Sequence, residues 1–192
     1  MTTDIPPSRT PVWKVLLPIV AILALVVGGL SLLKSKVTSG KANGTSAAVE
    51  VQVGNTLPDF SLKKFGGNSV KLSEIQGKAV LINFFASWCE ACVVEMPSIV
   101  KLRDAYKDRG FEVVGVNVDE NPDAVIPKLI KELGINFPVY TDPDQALAEL
   151  FDVHAIPLTV VLDAKRTILM IETGERDWNG TEIHTQLDLW LK

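Results

Sequence analysis

The longest hydrophobic run of the chain lies near its N-terminus. Residues 15–33 contain no charged side chain. As a helix this run would span roughly 30 Å, about the thickness of the hydrocarbon core of a bilayer. It is longer than the apolar stretch of a cleaved secretory signal, and no small-residue cleavage site follows it closely. We therefore predict an uncleaved transmembrane anchor over residues 15–33, after an N-terminal tail of residues 1–14.

The pattern changes after the anchor. Residues 34–52 are rich in Ser, Gly, Lys and Thr, which is typical of a flexible linker. The folded domain is predicted to span residues 53–192. It opens with two short segments, 59–63 and 69–72, that flank Gly66-Gly67 and predict a β-hairpin.

A continuous apolar run then predicts a buried strand over residues 79–85, of the kind found in largely parallel sheets. Residues 91–109 follow with apolar side chains at helical spacing, and Gly110 ends this predicted helix. Residues 111–118 form the next apolar run. Strand, helix and strand at this spacing indicate one right-handed βαβ unit.

The remaining segments alternate between the same two patterns. A second helix is predicted over residues 123–133, with Asn121 or Asp119 as its N-cap and Gly134 as its stop. Further along the chain, the pattern predicts a short strand at 139–140, a short helix at 144–151, a hairpin of 158–162 with 168–174, and a closing helix at 181–191. The domain is therefore predicted to be α/β.

Charge narrows the range of partners. Residues 50–192 carry 14 of the 19 basic residues and 22 of the 23 acidic ones, a net charge of −8. Such a domain has no electrostatic footprint for nucleic acid. Its only contact with the membrane is expected to be through the N-terminal anchor.

The candidate chemistry lies in two cysteines, Cys89 and Cys92, the only ones in the chain. They follow the predicted strand 79–85, and Cys89 falls at the start of the predicted helix. A zinc site would need two more ligands, and His154 and His184 lack the spacing for it. A purely structural disulfide would close a very small loop and stabilise little. A Cys-x-x-Cys pair beside a βαβ pattern favours a redox-active dithiol.

The helix start also divides the roles of the two cysteines. The partial positive charge and unpaired N–H groups of a helix N-terminus stabilise a thiolate, so Cys89 is the predicted nucleophile. Cys92, one turn further along, is the predicted resolving thiol. No metal and no cofactor other than the Cys89–Cys92 disulfide is expected.

Two motifs together resemble the thioredoxin superfamily: Trp88-Cys89-Glu90-Ala91-Cys92 after a buried strand, and Ala155-Ile156-Pro157 before a later one. The segment 120–151 and the opening Val53-Gly54…Leu57-Pro58-Asp59-Phe60 resemble the membrane-anchored TlpA-, ResA- and CcmG-like branch. The resemblance covers residues 53–190. It implies a thioredoxin-like fold, with a central mixed sheet flanked by helices, an N-terminal β-hairpin and a central insert.

The resemblance also implies roles for further residues. Pro157 matches a cis-proline beside the dithiol, with the Ile156 backbone at an edge where a substrate peptide pairs and with Trp88 at the same surface. Glu95 matches an acidic residue near the dithiol, with a raised pKa and a proton-shuttling role. The alternative for Glu95 is a solvated side chain on an exposed helix face. Asn83 stands where thioredoxin itself has a buried acid.

The residues between the cysteines are expected to tune the redox potential. The charge of Glu90 opposes a Cys89 thiolate, which favours a comparatively reducing couple. Ala91 replaces the proline that is common at this position. The predicted direction of electron flow is therefore from the dithiol to a substrate.

Together these features predict a membrane-anchored reductase of disulfides in exported proteins, such as apocytochrome c or metal-site assembly proteins. A membrane electron donor would re-reduce it. The basic residues Arg9 and Lys14 precede the anchor, whereas Lys34, Lys36 and Lys41 follow it, which by charge alone favours a cytoplasmic domain. The tethered dithiol favours an extracytoplasmic, periplasmic one instead. The alternatives are a thiol peroxidase, although the Thr-x-x-Cys turn is lacking, and a non-enzymatic redox sensor or binding module.

Overall fold

The computed structural model describes residues 50–192. The tail 1–14, the anchor 15–33 and the linker up to residue 49 that the sequence predicts therefore lie outside the described part. Within residues 50–192, none of the helices has the length and apolar character needed to cross a membrane.

The described chain folds into seven strands and four α-helices. The strands are β1 (Ser61–Lys64), β2 (Ser69–Lys71), β3 (Ala79–Phe85), β4 (Phe111–Asn117), β5 (Val139–Thr141), β6 (Leu158–Asp163) and β7 (Ile168–Thr173). The helices are α1 (Glu90–Tyr106), α2 (Pro122–Leu133), α3 (Ala146–Leu150) and α4 (Thr181–Trp190). Two 3-10 turns, Leu72–Glu74 and Lys107–Arg109, complete the regular structure.

All seven strands belong to one sheet, in the order β2-β1-β5-β4-β3-β6-β7. The pairs β3–β4 and β4–β5 are parallel, whereas the other neighbours are antiparallel. The predicted N-terminal hairpin is present and joins the sheet through β5. The thioredoxin-like α/β fold, a mixed sheet flanked by helices, is confirmed.

Strand β3 is the central element of the core. It pairs with β4 on one side and β6 on the other, and all seven of its side chains are buried. A strand covered on both faces is apolar along nearly all of its length, which is the pattern that predicted β3. Asn83 is its one polar residue, and it is fully buried.

Helix α1 follows β3 after a short turn, so its N-terminus lies at the end of the sheet where β3 ends. Its buried side chains are Cys92, Glu95, Met96, Ile99, Leu102 and Tyr106, one face of the helix. The helix continues into the 3-10 turn Lys107–Arg109, and Gly110 ends it in the left-handed region, at φ 92°.

The prediction that Asp119 caps α2 is wrong. Helix α2 begins at Pro122, with Asn121 in the N-cap position but without a side-chain capping bond. Proline at the first helical position lacks one of the N–H groups that every helix start leaves without an intrahelical partner. The Asp119 carboxylate is instead bound by Ser87 and Asn117, because parallel strands end at the same edge of the sheet.

We expect Gly115→Ala in β4 to lower the free energy of unfolding by about 1–3 kcal/mol, the usual effect of overpacking a core. A Cβ at residue 115 would lie 3.1 Å from a ring carbon of Phe137 and 3.1 Å from one of Phe85. Chemical denaturation measures the change. Gly67→Ala is the control, since its Cβ would meet only the Lys64 side chain, at 3.5 Å or more. Equal effects of the two substitutions would contradict this assessment of packing.

Candidate redox site

The two cysteines lie at the junction of β3 and α1 and are joined in a disulfide, with their Cα atoms 5.3 Å apart. Cys89 occupies the N-cap position of α1, and Cys92 lies in its first turn. Cys89 is 7% exposed and Cys92 only 1%. A partner thiol or disulfide approaching from solvent therefore reaches Cys89 first.

The helix start surrounds Cys89 with positive potential. The Cys92 backbone N–H donates to Cys89 Sγ over 3.1 Å. This N–H and the helix dipole both favour negative charge at Cys89 Sγ. The arrangement fits the role of nucleophile predicted for Cys89, because the same groups would stabilise its thiolate after reduction.

The second motif lies against the disulfide. The Ile156–Pro157 peptide bond is cis, as the resemblance implied. The carbonyl oxygen of Ile156 lies 3.7 Å from Cys89 Sγ. Pro157 is buried and Ile156 is half-buried, whereas the neighbouring Trp88 is 70% exposed. The structure thus places the Ile156 carbonyl beside Cys89, and Trp88, the residue before Cys89 in the chain, is exposed.

Asp119 fastens the turn that precedes the cysteines. The Ser87 backbone N–H donates to Asp119 Oδ2 over 2.8 Å, and the Ser87 hydroxyl donates to Oδ1 over 2.7 Å. Asn117 Nδ2 donates to Asp119 Oδ2 over 2.7 Å. Since charged acceptors make stronger hydrogen bonds, this clamp holds the backbone two residues before Cys89.

Glu95 lies one turn beyond Cys92, and only 2% of it is exposed. Three N–H groups donate to its carboxylate, from two different elements. Asn83 Nδ2 donates to Oε1 over 2.8 Å, while Trp178 Nε1 and the Arg176 backbone N–H donate to Oε2 over 3.1 Å and 3.3 Å. The alternative of a solvated glutamate on an exposed helix face is wrong.

Two opposing influences act on the pKa of Glu95. Burial disfavours the charged form and raises the pKa above its ordinary value, and the nearby Glu175 carboxylate acts in the same direction. The hydrogen bonds from Trp178, Asn83 and Arg176 lower it again, but less than burial raises it. The net result is a carboxyl with a raised pKa, as predicted.

Asn83 links this carboxyl to the sheet. Its Nδ2 also donates to Thr159 Oγ1 over 2.9 Å, so the amide bridges β6 and α1. Its Oδ1 is buried and has no hydrogen-bond partner among residues 50–192. The amide therefore acts toward Glu95 only as a donor, which favours a carboxylate over a carboxylic acid.

The comparisons with known proteins agree with this site. A family model described as Redoxin matches residues 52–187. The chain belongs to the redoxin family. It is 34% identical over 124 residues to the thiol-disulfide oxidoreductase ResA of Bacillus subtilis, covering 65% of this chain and 69% of the relative. It is also 34% identical over 136 residues to ResA of Geobacillus kaustophilus, covering 71% of this chain and 78% of that one.

The solved structures show the same fold. A Chlorobium tepidum protein described as a thiol:disulfide interchange protein DsbE is 30% identical, with a TM-score of 0.67, over 74% of this chain and 99% of its own. A Neisseria meningitidis protein described as a thioredoxin is 33% identical, with a TM-score of 0.61, over 69% of this chain and 87% of its own. With its bonded Cys-x-x-Cys pair, this redoxin is a thiol–disulfide oxidoreductase of the ResA- and DsbE-like kind.

Other predicted residues of this redoxin lie further out. Glu90 is exposed and Ala91 is half-buried, so solvent screens the Glu90 charge. His154 is a surface residue, with Nε2 3.1 Å from Asp152 Oδ1, and His184 contacts Tyr106 near the far end of α1. Among the described residues, no three His, Cys, Asp or Glu side chains are grouped so as to hold a metal ion.

Sequence reasoning missed three residues of the site. The contact between Asp119 and Ser87 follows from the pairing of β3 with β4. Phe85 pairs with Asn117, so residues 87 and 119 each lie two positions beyond the same pair. No strand pairing gives a comparable signal for Trp178 and Arg176. Their contact with Glu95 joins residues more than 80 positions apart through a loop, and a tryptophan there is indistinguishable from a core residue in the sequence.

We expect Glu95→Gln to change the pH dependence of stability of the oxidised redoxin. An acid whose pKa is higher in the folded state than in the unfolded state does not lower the free energy of unfolding at low pH, where it is protonated in both states. As pH rises from the unfolded pKa through the folded one, this acid lowers the free energy of unfolding more and more. The free energy of unfolding of the parent minus that of Glu95→Gln should therefore fall with rising pH across that window.

Denaturant unfolding between about pH 4 and pH 8 measures this difference. Glu132→Gln is the exposed control, because Glu132 makes only a long contact of 3.9 Å with Lys128. A difference between the parent and Glu95→Gln that stays constant or rises with pH would show that burial does not dominate at Glu95.

Proposed function

We propose that the protein is a membrane-anchored reductase of disulfide bonds in exported proteins. The observation that carries the proposal is the asymmetry of the dithiol. Cys89 lies at a helix N-terminus on the open side of the site, 3.7 Å from the Ile156 carbonyl. Cys92 faces the interior, one turn from the buried Glu95.

In the proposed reaction the reduced protein begins with a Cys89 thiolate and a Cys92 thiol. Cys89 Sγ attacks one sulfur of a substrate disulfide, the substrate S–S bond breaks, and the released substrate thiolate takes up a proton. Cys92 then loses its proton and attacks Cys89 Sγ, the S–S bond between Cys89 and the substrate breaks, and the second substrate sulfur leaves as a thiolate that takes up a proton. Two electrons pass to the substrate, and the protein is left with the Cys89–Cys92 disulfide seen here.

Glu95 is the proposed acceptor of the Cys92 proton. It follows Cys92 by one helical turn on the same buried face. An acid with a raised pKa exchanges protons near neutral pH more readily than an ordinary glutamate does. Asn83 has no basic group, so its proposed role is to orient Glu95 through the 2.8 Å hydrogen bond to Oε1.

A substrate would dock along the edge beside Pro157. The Ile156 carbonyl lies 3.7 Å from Cys89 Sγ, and an extended substrate peptide is proposed to pair with this backbone. Trp88, which precedes Cys89 and is exposed, offers an aromatic surface that is proposed to contact the substrate. No cofactor beyond the dithiol is needed, and a membrane electron donor is proposed to restore the reduced state.

The direction of electron flow and the substrates are part of the proposal. The charge of Glu90 opposes the Cys89 thiolate and so favours a reducing couple, although its exposure weakens the effect. Ala91, in place of proline, is the second tuning position. Apocytochrome c and metal-site assembly proteins are the proposed substrate classes, both of them exported proteins that must present reduced cysteines.

We expect a Cys92→Ser variant to accumulate as a mixed disulfide with its substrates. Without the resolving thiol, the bond between Cys89 and a substrate sulfur cannot be broken from within. Affinity purification under non-reducing conditions, followed by mass spectrometry, identifies the trapped proteins. Exported proteins with cysteine pairs are the expected result.

Cys89→Ser is the matched control, because it keeps Cys92 and removes the nucleophile. Equal trapping by both variants, or no exported protein among those trapped by Cys92→Ser, would contradict the proposed reaction. Rapid consumption of hydrogen peroxide by the parent protein would favour a peroxidase instead.

The domain is proposed to lie outside the cytoplasm, held by residues 15–33. A reporter enzyme that folds only in an exported location, fused after Lys192, is therefore expected to be active. A reporter that works only in the cytoplasm, fused at the same place, is the paired control and is expected to be inactive. The opposite pair of results would overturn this topology and agree with the three lysines that follow the anchor.

A further inference from the structure

The loop between β7 and α4, residues 174–180, is fastened to α1 beside the dithiol. The Trp178 backbone N–H donates to Ser98 Oγ over 3.0 Å, and that hydroxyl donates to the Glu95 carbonyl over 2.7 Å. The Trp178 indole N–H and the Arg176 backbone N–H both donate to Glu95 Oε2. One loop thus binds the Glu95 carboxylate directly and is linked to the Glu95 backbone carbonyl through the Ser98 hydroxyl.

The indole hydrogen bond lies where water does not compete with it. Trp178 is 1% exposed and Glu95 is 2% exposed. A hydrogen bond to a charged acceptor is strong in such surroundings, and losing it leaves the acceptor buried and under-satisfied. The two carboxylate oxygens of Glu95 also accept hydrogen bonds from different elements. Oε1 accepts from Asn83 in the sheet, and Oε2 accepts from the loop.

We propose that Trp178 is a positioning residue for the redox reaction: its indole N–H orients the Glu95 carboxyl and stabilises its ionised form, which keeps Glu95 able to accept the Cys92 proton. This inference rests on the proton-accepting role proposed above for Glu95. A donor that is bonded only to Oε2 strengthens as that oxygen gains negative charge, so it favours the carboxylate over the acid.

The other groups around Glu95 do not replace this donor. Glu175 carries a like charge and disfavours the carboxylate. The Arg176 guanidinium is held by Glu172 and Glu182, which offset its charge. On α1 and the sheet, Ser98 and Asn83 are neutral, and the Cys92 sulfur is bonded to Cys89. The Trp178 N–H is thus the one side-chain donor that the loop offers to Oε2.

The rest of the indole is ordinary core. Its ring packs beside β3, β6 and α4, in a small space lined by residues that include Leu81, Leu102, Val161, Ile183 and Trp190. A phenyl ring would retain most of that packing while removing the donor. Trp178→Phe therefore separates the hydrogen bond from the hydrophobic role. Trp190→Phe is the matched control, since Trp190 lines the same space without a hydrogen bond to Glu95.

The titration of Glu95 tests the inference. In the oxidised full-length protein labelled with carboxyl-¹³C glutamate, infrared or NMR spectra follow the Glu95 carboxyl against pH, and Glu95→Gln identifies its signal. We expect Trp178→Phe to shift this titration to higher pH and Trp190→Phe to leave it in place. The ascending limb of the pH–rate profile for disulfide reduction should shift in the same direction.

Benzothienylalanine at position 178 provides a second variant in case the phenyl ring disturbs folding. It replaces the indole N–H with sulfur at nearly the same shape, so the expected shift is the same. An unchanged Glu95 titration in this variant would overturn the inference, as would a shifted titration with an unmoved pH–rate profile. If the parent protein reduces no disulfide, the proposed function fails. The titration still decides whether Trp178 stabilises the carboxylate, because it requires no turnover.

Discussion

The central place of β3 in the sheet is the constraint on which the site depends. A strand paired on both sides and covered on both faces can end only where its neighbours end, at Phe85 opposite Asn117. The chain must then turn and cover the sheet with α1. The N-terminus of α1, Asp119 just after β4 and Ile156 just before β6 therefore meet at one end of the sheet. The dithiol is placed by the core rather than by its own loop.

A carboxyl group buried within this core needs hydrogen-bond donors from several elements. Desolvation of an ionised group is costly, and a single hydrogen bond does not offset it. Glu95 draws donors from the sheet through Asn83 and from the loop through Trp178 and Arg176. Burial and donation act against each other, and the balance leaves the pKa raised rather than ordinary. A group in such a balance responds to the loss of any one donor.

The sequence predicted the parts of the site that are encoded locally. The apolar run at 79–85, the helix after it and the hairpin at 158–174 can each be recognised from their own residues, and the resemblance of the Ala155-Ile156-Pro157 motif implied the cis bond. Asp119 is one of two cap candidates in the sequence, with Asn121, because local pattern does not show that Ser87 binds its carboxylate. Trp178 was out of reach for a stronger reason. Its contact depends on how the loop after β7 returns to α1, and no local pattern specifies that path.

The positions of the residues on α1 then explain why sulfur exchange at Cys89 and proton transfer between Cys92 and Glu95 take place in different surroundings. Residues three apart on a helix differ by about 60° in direction, so Cys92 and Glu95 remain on the buried face. Cys89, at the cap, remains on the accessible side, where Trp88 is exposed. Exchange with a partner sulfur needs access, whereas control of a proton needs exclusion of water. One helical turn between the sulfurs serves both requirements, since it leaves Cys89 the more exposed of the two, at 7% against 1%, and places Cys92 one turn before Glu95, the only carboxyl that the α1 face buries.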